Sequence, residues 1–144
     1  MLVNYCTLNE IGAILLVFYI NIIAEGKGYE IFFPAGMFSA LLCSYVIGKL
    51  ILKQPLTEKK IIIAGILVGT ISHYFAWLFA SFFMTLCYFI WDGCKSSLNE
   101  PPIFFWDMLY MGFLYSFTSL IFFGWFSVSW AIASGFLISI FFSE

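Results

Sequence analysis

The sequence predicts an all-α membrane protein, a four-helix transmembrane bundle with both termini in the cytoplasm. Hydrophobic residues make up 63% of the 144 residues and charged residues only 10%, whereas a soluble domain carries about a quarter charged residues. Residues 61–91 form an apolar run with no acidic residue, lysine or proline, which is longer than the ~20 residues that cross a bilayer as a helix. We therefore expect a single transmembrane domain over residues 1–144.

Four apolar segments alternate with three short polar loops. The predicted spans are residues 7–24, 31–52, 61–91 and 103–142. The loops are EGKGYE at 25–30, KQPLTEKK at 53–60 and DGCKSSLNEPP at 92–102. This alternation predicts that the chain crosses the membrane four times.

Residues at the loop ends give the expected helix boundaries. Pro55 ends the second helix because it has no amide hydrogen, and Thr57 can cap the third helix with its hydroxyl. Asn99 or Glu100, followed by Pro101, is typical of a cap and first helical position. The last helix is thus expected to begin shortly after Pro101.

The last apolar run is ambiguous. It is long enough for one extended helix or for a hairpin of two short spans that turns near Gly124. Unpaired backbone groups in lipid cost several kcal/mol each, so we favour one helix. Asp107 in this run and Glu10 in the first are expected to be carboxylates at helix starts near the interface, where the positive end of the helix dipole favours them.

The lysines predict the orientation. Lys53, Lys59 and Lys60 share one loop, whereas the other loops carry one lysine each, outnumbered by acids. Cytoplasmic loops are enriched in lysine, so this loop is expected in the cytoplasm, and four spans then place both termini there. The three lysines are also candidates for docking a cytoplasmic protein partner, the alternative being that they act only as a topology signal.

Small residues recur at helical spacing on the last three apolar segments and predict close helix contacts, because in lipid the hydrophobic effect does not drive helices together. The candidates are Gly36, Ala40, Ser44 and Gly48 on the second span, Gly65, Gly69 and Ala76 on the third, and Gly124, Ser127, Ala131 and Gly135 on the last. Two interpretations stay open: the stripes pack this chain's own bundle, or at least one of them builds a homo-oligomer.

His73 is the candidate polar residue within the membrane, and it shares a helix face with Gly69. An ionisable group at this depth is a functional candidate, as a proton relay or as the partner of a carboxylate such as Asp107. The alternative is a neutral histidine that hydrogen-bonds to a neighbouring helix.

The four cysteines form no CxxC pair and have no histidine cluster near them, so no metal site is predicted. Cys87 and Cys94 are the only pair that can share one membrane face. The strict geometry of a disulfide argues against a bond between them. We expect the cysteines to act as small apolar side chains.

Composition and motifs exclude several classes of function. There is no arginine and the net charge is −2, so no nucleic-acid partner is expected. The sequence has no HExxH, P-loop or GxGxxG motif and no close set of serine, histidine and aspartate. We therefore predict that the protein is not an enzyme and that it needs no cofactor and no metal.

Four spans, short loops and predicted cytoplasmic termini give the chain a resemblance to small membrane proteins of bacterial and phage conflict. These include membrane subunits of anti-phage systems such as Kiwa, phage exclusion proteins, proteins by which plasmids exclude a second plasmid, and immunity proteins against pore-forming colicins. The resemblance concerns architecture alone and transfers no functional residue. It implies a non-enzymatic scaffold or sensor subunit, oligomeric, in the bacterial inner membrane. The alternative is a small ion channel, holin-like pore or transporter gated by His73.

Overall fold

The computed structural model describes residues 1–23, 31–53, 55–91 and 102–141, and it confirms an all-helical bundle. Four helices are long and apolar enough to span a membrane. In chain order they are α1 (Leu2–Ile23), α2 (Phe32–Ile51), α3 (Glu58–Trp91) and α4 (Phe105–Phe141). The four apolar helices indicate an integral membrane protein.

The boundaries of α2, α3 and α4 lie within a few residues of the predicted ones. α4 runs unbroken through Gly124, which is buried, so the hairpin alternative is wrong. The cap on α3 is present, because the backbone amide of Lys60 donates to the Thr57 hydroxyl at 3.4 Å. The predicted caps at Asn99 or Glu100 lie outside the described residues.

α1 begins earlier than expected, and this changes the position of Glu10. The helix starts at Leu2, so Glu10 is its ninth residue, roughly 12 Å from that start at ~1.5 Å per residue. The expectation of a helix-start carboxylate is therefore wrong for Glu10. The sequence places the start of the first span near Thr7, but the side chains of Thr7 and Asn9 donate to carbonyls four residues earlier in the same helix, so the helix includes these polar residues.

The helices form a ring in chain order. α1 contacts α2 and α4, and α3 contacts α2 and α4, whereas within the described ranges the diagonal pairs have no Cα atoms within 8 Å of each other. Neighbours run antiparallel: Gly48 of α2 packs on Leu2 of α1, and Gly36 of the same helix packs on Val17. The helices thus have an up-down-up-down arrangement, and side chains occupy the space along the axis of the bundle.

One end of the ring, which we call the basic end, contains the loop with Lys53, Lys59 and Lys60. The helix ends nearest this loop share one apolar cluster, which we call the basic-end core. It consists of Tyr5, Cys43, Ile47, Leu52, Ile61, Ala64, Val68, Ala131 and Ile138. The start of α1 and the end of α4 therefore lie at the same end as the lysine loop.

The four helices differ in length, and the difference lies at the opposite end. α1 and α2 have 22 and 20 residues, which match a ~30 Å hydrocarbon core, whereas α3 and α4 have 34 and 37. Because all four meet at the basic end, α3 and α4 extend beyond the others. Their extension exposes aromatic residues such as Phe89 (70%), Trp106 (77%) and Tyr110 (77%), and tryptophan and tyrosine are enriched at membrane interfaces.

The outer surface of the ring is apolar. Phe18, Phe117, Ile121 and Phe122 are each more than 60% exposed, and each faces away from the ring. Soluble monomers rarely expose large contiguous apolar patches, whereas lipid tails solvate such a surface without cost. The exposed side chains thus agree with a chain that lies in a bilayer.

Candidate functional site

Two glycines bring α3 and α4 together at the level of the backbone. A Cβ atom added to Gly69 would lie 2.6 Å from the Val128 Cα, and one added to Gly65 would lie 2.7 Å from the Ile132 amide nitrogen. Backbone atoms cannot move aside as a flexible side chain can. The predicted GxxxG pair is therefore a contact between two helices of this chain.

The α2 stripe faces α1. A Cβ atom on Gly36 would lie 3.0 Å from a methyl carbon of Val17, and Gly48 lies against the side chains of Leu2 and Tyr5. Ala40 and Ser44, on the same stripe, are buried. The stripes of α2 and α3 are both used inside the bundle, which favours the first of the two interpretations, and the homo-oligomer stays a prediction.

His73 joins α3 to α4 through two serines. Its Nδ1 lies within hydrogen-bond distance of the Ser119 hydroxyl, and its Nε2 lies 2.8 Å from the Ser127 hydroxyl. Ser127 also donates to the Gly69 carbonyl at 3.1 Å, and Ser119 to the Ser116 carbonyl at 3.4 Å. The His73 ring is buried, which disfavours a charge on it, and a neutral imidazole can bond at both nitrogens, as donor at one and as acceptor at the other.

The carboxylate alternative for His73 is not what the structure shows. Asp107 lies exposed in the first turn of α4, as predicted for a helix-start carboxylate. It precedes Ser119 by 12 residues, roughly 18 Å along the helix at ~1.5 Å per residue. The partners of His73 are hydroxyls, so the structure agrees with the neutral, helix-bridging interpretation.

A cavity of ≈ 160 Å³ lies inside the ring beside His73, and residues of all four helices form its wall. Gly69, Ser72, His73, Ala76 and Trp77 come from α3. The other helices supply Asn9, Gly12, Ala13, Leu16, Val17, Ile20, Phe32, Gly36, Ser39, Ala40, Ser119, Phe123, Phe126, Ser127, Trp130 and Ala131, and Val68 is a further residue of α3. Of the predicted site residues, His73, Gly36, Ala40, Gly69 and Ala76 thus meet at one cavity.

The basic-end core closes the cavity on one side. Val68 and Ala131 belong to both the cavity wall and the core, and each is at most 3% exposed. The core residues beyond them are apolar and continue to Leu52 beside the lysine loop. A molecule in the cavity therefore has no open path toward the basic end.

No protein-family model, curated protein or solved structure matches the chain. Within residues 1–23, 31–53, 55–91 and 102–141, no three His, Cys, Asp or Glu side chains are grouped so that they can hold a metal ion. The candidate site is thus the cavity with its polar atoms, and its chemistry is that of hydrogen bonds and aromatic rings.

Trp130 connects α4 to α1 at the cavity wall. Its indole N–H donates to the Leu8 carbonyl at 2.7 Å, and its ring covers Gly12 so closely that no Cβ fits there. This contact joins two residues that are 122 positions apart in the sequence. The sequence analysis predicted neither this contact nor the hydrogen bonds of Ser119 and Ser127 to His73.

The three candidate docking lysines differ in their surroundings. Lys60 donates to the carbonyls of Lys53 and Pro55 at 3.0 and 2.9 Å, so it holds the loop together. Lys53 and Lys59 are exposed at the basic end. These two ammonium groups are therefore the ones presented to a partner.

The cysteines divide into two groups. Cys6 and Cys43 are buried free thiols, as expected for small apolar side chains. Cys87, near the far end of α3, is disulfide-bonded, so the expectation that geometry argues against a disulfide is wrong for Cys87. Cys94 lies outside the described residues.

Proposed function

We propose that this chain is a non-enzymatic sensor or scaffold subunit of a bacterial inner membrane, within a phage-defence, exclusion or immunity system. The observation that carries the proposal is the cavity, because all four helices contribute to its wall. A ligand that fills it can favour one arrangement of the helices over another only through such shared contacts. The cavity is the sensing site in this proposal, and the basic end transmits the change.

The proposal includes an orientation. Lysine enrichment favours a cytoplasmic basic end, where Lys53 and Lys59 are exposed to a cytoplasmic protein partner. The disulfide at Cys87 supports the same orientation, since disulfides persist in oxidising compartments and Cys87 lies toward the opposite end of α3. Two independent features thus favour the same assignment of sides.

A small channel, holin-like pore or transporter is the second candidate. The serines and His73 on the cavity wall favour it, because a conducting path needs polar groups. The basic-end core argues against it, because opening a path would separate a packed apolar cluster. Flux of ions or dye from liposomes that contain the protein supports the pore, and impermeable liposomes support the sensor.

The sensor proposal is tested in cells with a matched pair of alanine variants. Ala76→Leu places a larger side chain in the cavity, whereas Ala133→Leu makes the same change at an exposed position of α4. A susceptible bacterium that expresses each chain is challenged with phages, a conjugating plasmid and pore-forming colicins. We expect the unmodified chain and the Ala133→Leu variant to protect the bacterium against one of these challenges. The Ala76→Leu variant is expected to give no protection. Absence of any protection, or equal protection by both variants, contradicts the proposal.

The homo-oligomer remains part of the proposal, and it must use surfaces other than the stripes. The exposed apolar faces of the helices, which include aromatic residues on α3 and α4, are available to a second copy. Mass measurement in detergent tests this directly: a multiple of 16.5 kDa supports the oligomer, and a strict monomer contradicts it.

A further inference from the structure

We propose that the central cavity binds a small uncharged aromatic molecule that carries one hydrogen-bond donor, such as phenol or indole. The inference rests on the proposed function, because it names the ligand class of the sensing site. Four properties of the wall carry it: its volume, its aromatic rings, its lack of charge and the direction of its hydrogen bonds.

The volume sets the size of the ligand. The cavity of ≈ 160 Å³ resembles in size an apolar protein cavity of ~150 Å³ that takes up benzene. A molecule of one or two fused rings fits this space.

Aromatic rings form much of the wall and favour an aromatic ligand. Phe32 and Trp77 meet edge to face with centroids 4.7 Å apart, and Phe126 and Trp130 stack at 5.8 Å. Phe123 adds a fifth ring. Such rings are stabilised by offset or edge contacts with another ring, beyond the burial of apolar area.

Among the residues that the structure describes, no Asp, Glu or Lys lines the cavity, so these residues offer a ligand no counter-ion. Transfer of an ion into such a site carries a large desolvation penalty. His73 does not supply the charge, since its ring is buried and its two partners are uncharged hydroxyls, which favours the neutral form. The ligand is therefore uncharged.

Hydrogen bonds within the wall leave acceptor oxygens available to a ligand. The Ser39 hydroxyl donates to the Gly36 carbonyl at 2.9 Å, and one N–H of the Asn9 amide donates to the Tyr5 carbonyl at 2.9 Å. The oxygen atoms of Asn9 and Ser39 retain lone pairs that can accept. A ligand with a hydroxyl or indole N–H matches these oxygens.

The test uses the purified full chain in lipid nanodiscs and ¹⁹F NMR with three probes of similar shape. 4-Fluorophenol carries the donor, 4-fluorotoluene lacks it, and 4-fluorobenzoate carries a charge. We expect saturable binding of the phenol, about tenfold tighter than that of the toluene, which is the contribution of one hydrogen bond. No binding of the benzoate is expected. Empty nanodiscs give the unsaturable partition into lipid that is subtracted.

Variants locate the binding and separate size from hydrogen bonding. Ala76→Leu is expected to abolish binding of both neutral probes, and Ala133→Leu to leave it unchanged. Asn9→Leu or Ser39→Ala is expected to reduce the advantage of the phenol to about twofold or less while the toluene still binds. Having both variants keeps the test decisive if one of them does not fold.

Three results overturn the inference: no saturable binding of the phenol, equal affinity for phenol and toluene in the unmodified chain, or a copurified lipid that Ala76→Leu removes. The outcome is separable from that of the proposed function. Loss of protection in Ala76→Leu without phenol binding overturns only the ligand class. Phenol binding by a chain that protects cells against nothing overturns only the proposed function.

Discussion

The α3/α4 contact and the α1/α2 contact both depend on glycine, but they use it differently. Gly69 lies against the backbone of α4, whereas Gly36 lies against the end of a valine side chain on α1. Hydrogen bonds reinforce the first contact, since His73 and Ser127 join α3 to α4. The side-chain hydrogen bonds of Asn9 and those of Ser39 return to their own helices.

This difference indicates which helices of the ring can move relative to the others. Backbone contact and buried interhelical hydrogen bonds give a specific, rigid pair, α3 with α4. α1 is also held to α4 by the hydrogen bond from Trp130 to the Leu8 carbonyl, whereas side-chain contact joins α2 to α1, and α2 lines the cavity. We therefore expect a change in cavity occupancy to move α2 more than α1 against a fixed α3/α4 pair.

The largest loss of stability is expected when Gly69 is replaced by alanine. The new Cβ meets the Val128 backbone, so Gly69→Ala should lower the free energy of unfolding by roughly 2–3 kcal/mol, an overpacking cost. Gly36→Ala should change it by less than ~1 kcal/mol, because a methyl group of Val17 can rotate away and alanine favours the helix. Unfolding by SDS in mixed micelles measures both. Equal losses in the two variants contradict the distinction between the contacts.

A smaller effect is expected from the histidine bridge. His73→Leu and Ser127→Ala should each cost about 1 kcal/mol, and their double-mutant cycle should show a coupling of ~0.6–1.7 kcal/mol, the range for hydrogen bonds between membrane helices. Ser139→Ala is the control, because Ser139 bonds only a carbonyl of its own helix, that of Phe136. Zero coupling between His73 and Ser127 would show that the bridge does not stabilise the pair.

A comparable or smaller loss of free energy of unfolding is expected when the contact between α1 and α4 is weakened. Trp130→Phe keeps an aromatic ring beside Gly12 but removes the N–H that bonds the Leu8 carbonyl, so it should cost about 1 kcal/mol. Trp125→Phe removes a bond within α4 at an exposed position and should cost less than ~0.5 kcal/mol. The same mixed-micelle unfolding measures both, and a greater cost for Trp125→Phe contradicts the role of Trp130.

The smallest effect on stability is expected at the basic end. Replacement of Lys53, Lys59 and Lys60 by glutamine should change the free energy of unfolding by less than about 1 kcal/mol, since the side chains lie outside the helical core. Recovery of a cytoplasmic partner by crosslinking should fall at least severalfold. Unchanged recovery and unchanged protection of cells would remove the docking role of these lysines.

The four helices were predictable because a long run of apolar residues identifies a segment that can lie in lipid as a helix. The long apolar runs gave four helices, and the spacing of Gly65 and Gly69 correctly predicted a close helix contact. The start of α1 was missed because Thr7 and Asn9 satisfy their polar groups within the helix, which composition does not reveal. Gly124 likewise gave a false suggestion of a turn.

The candidate site was only partly predictable. His73 was identified because an ionisable residue is rare in such a run, but its partners lie 46 and 54 residues away. Ser119 and Ser127 are eight residues apart and thus share one face of α4, a signal that a search for polar residues at helical spacing would find. The cavity itself depends on ring order and on the fit of side chains from four helices, which no local pattern specifies.

The central claim is that four helices cross the membrane with the basic end in the cytoplasm, and labelling of an introduced cysteine tests it most directly. The parent chain has Cys87 and Cys94 replaced by serine and keeps Cys6 and Cys43, which are buried. The two reporters are Lys59→Cys at the basic end and Asp107→Cys at the start of α4. An impermeant maleimide should label Asp107→Cys in intact cells and Lys59→Cys only after the membrane is opened. Labelling of both sites from one side contradicts the four-span arrangement, and the reverse pattern contradicts the orientation.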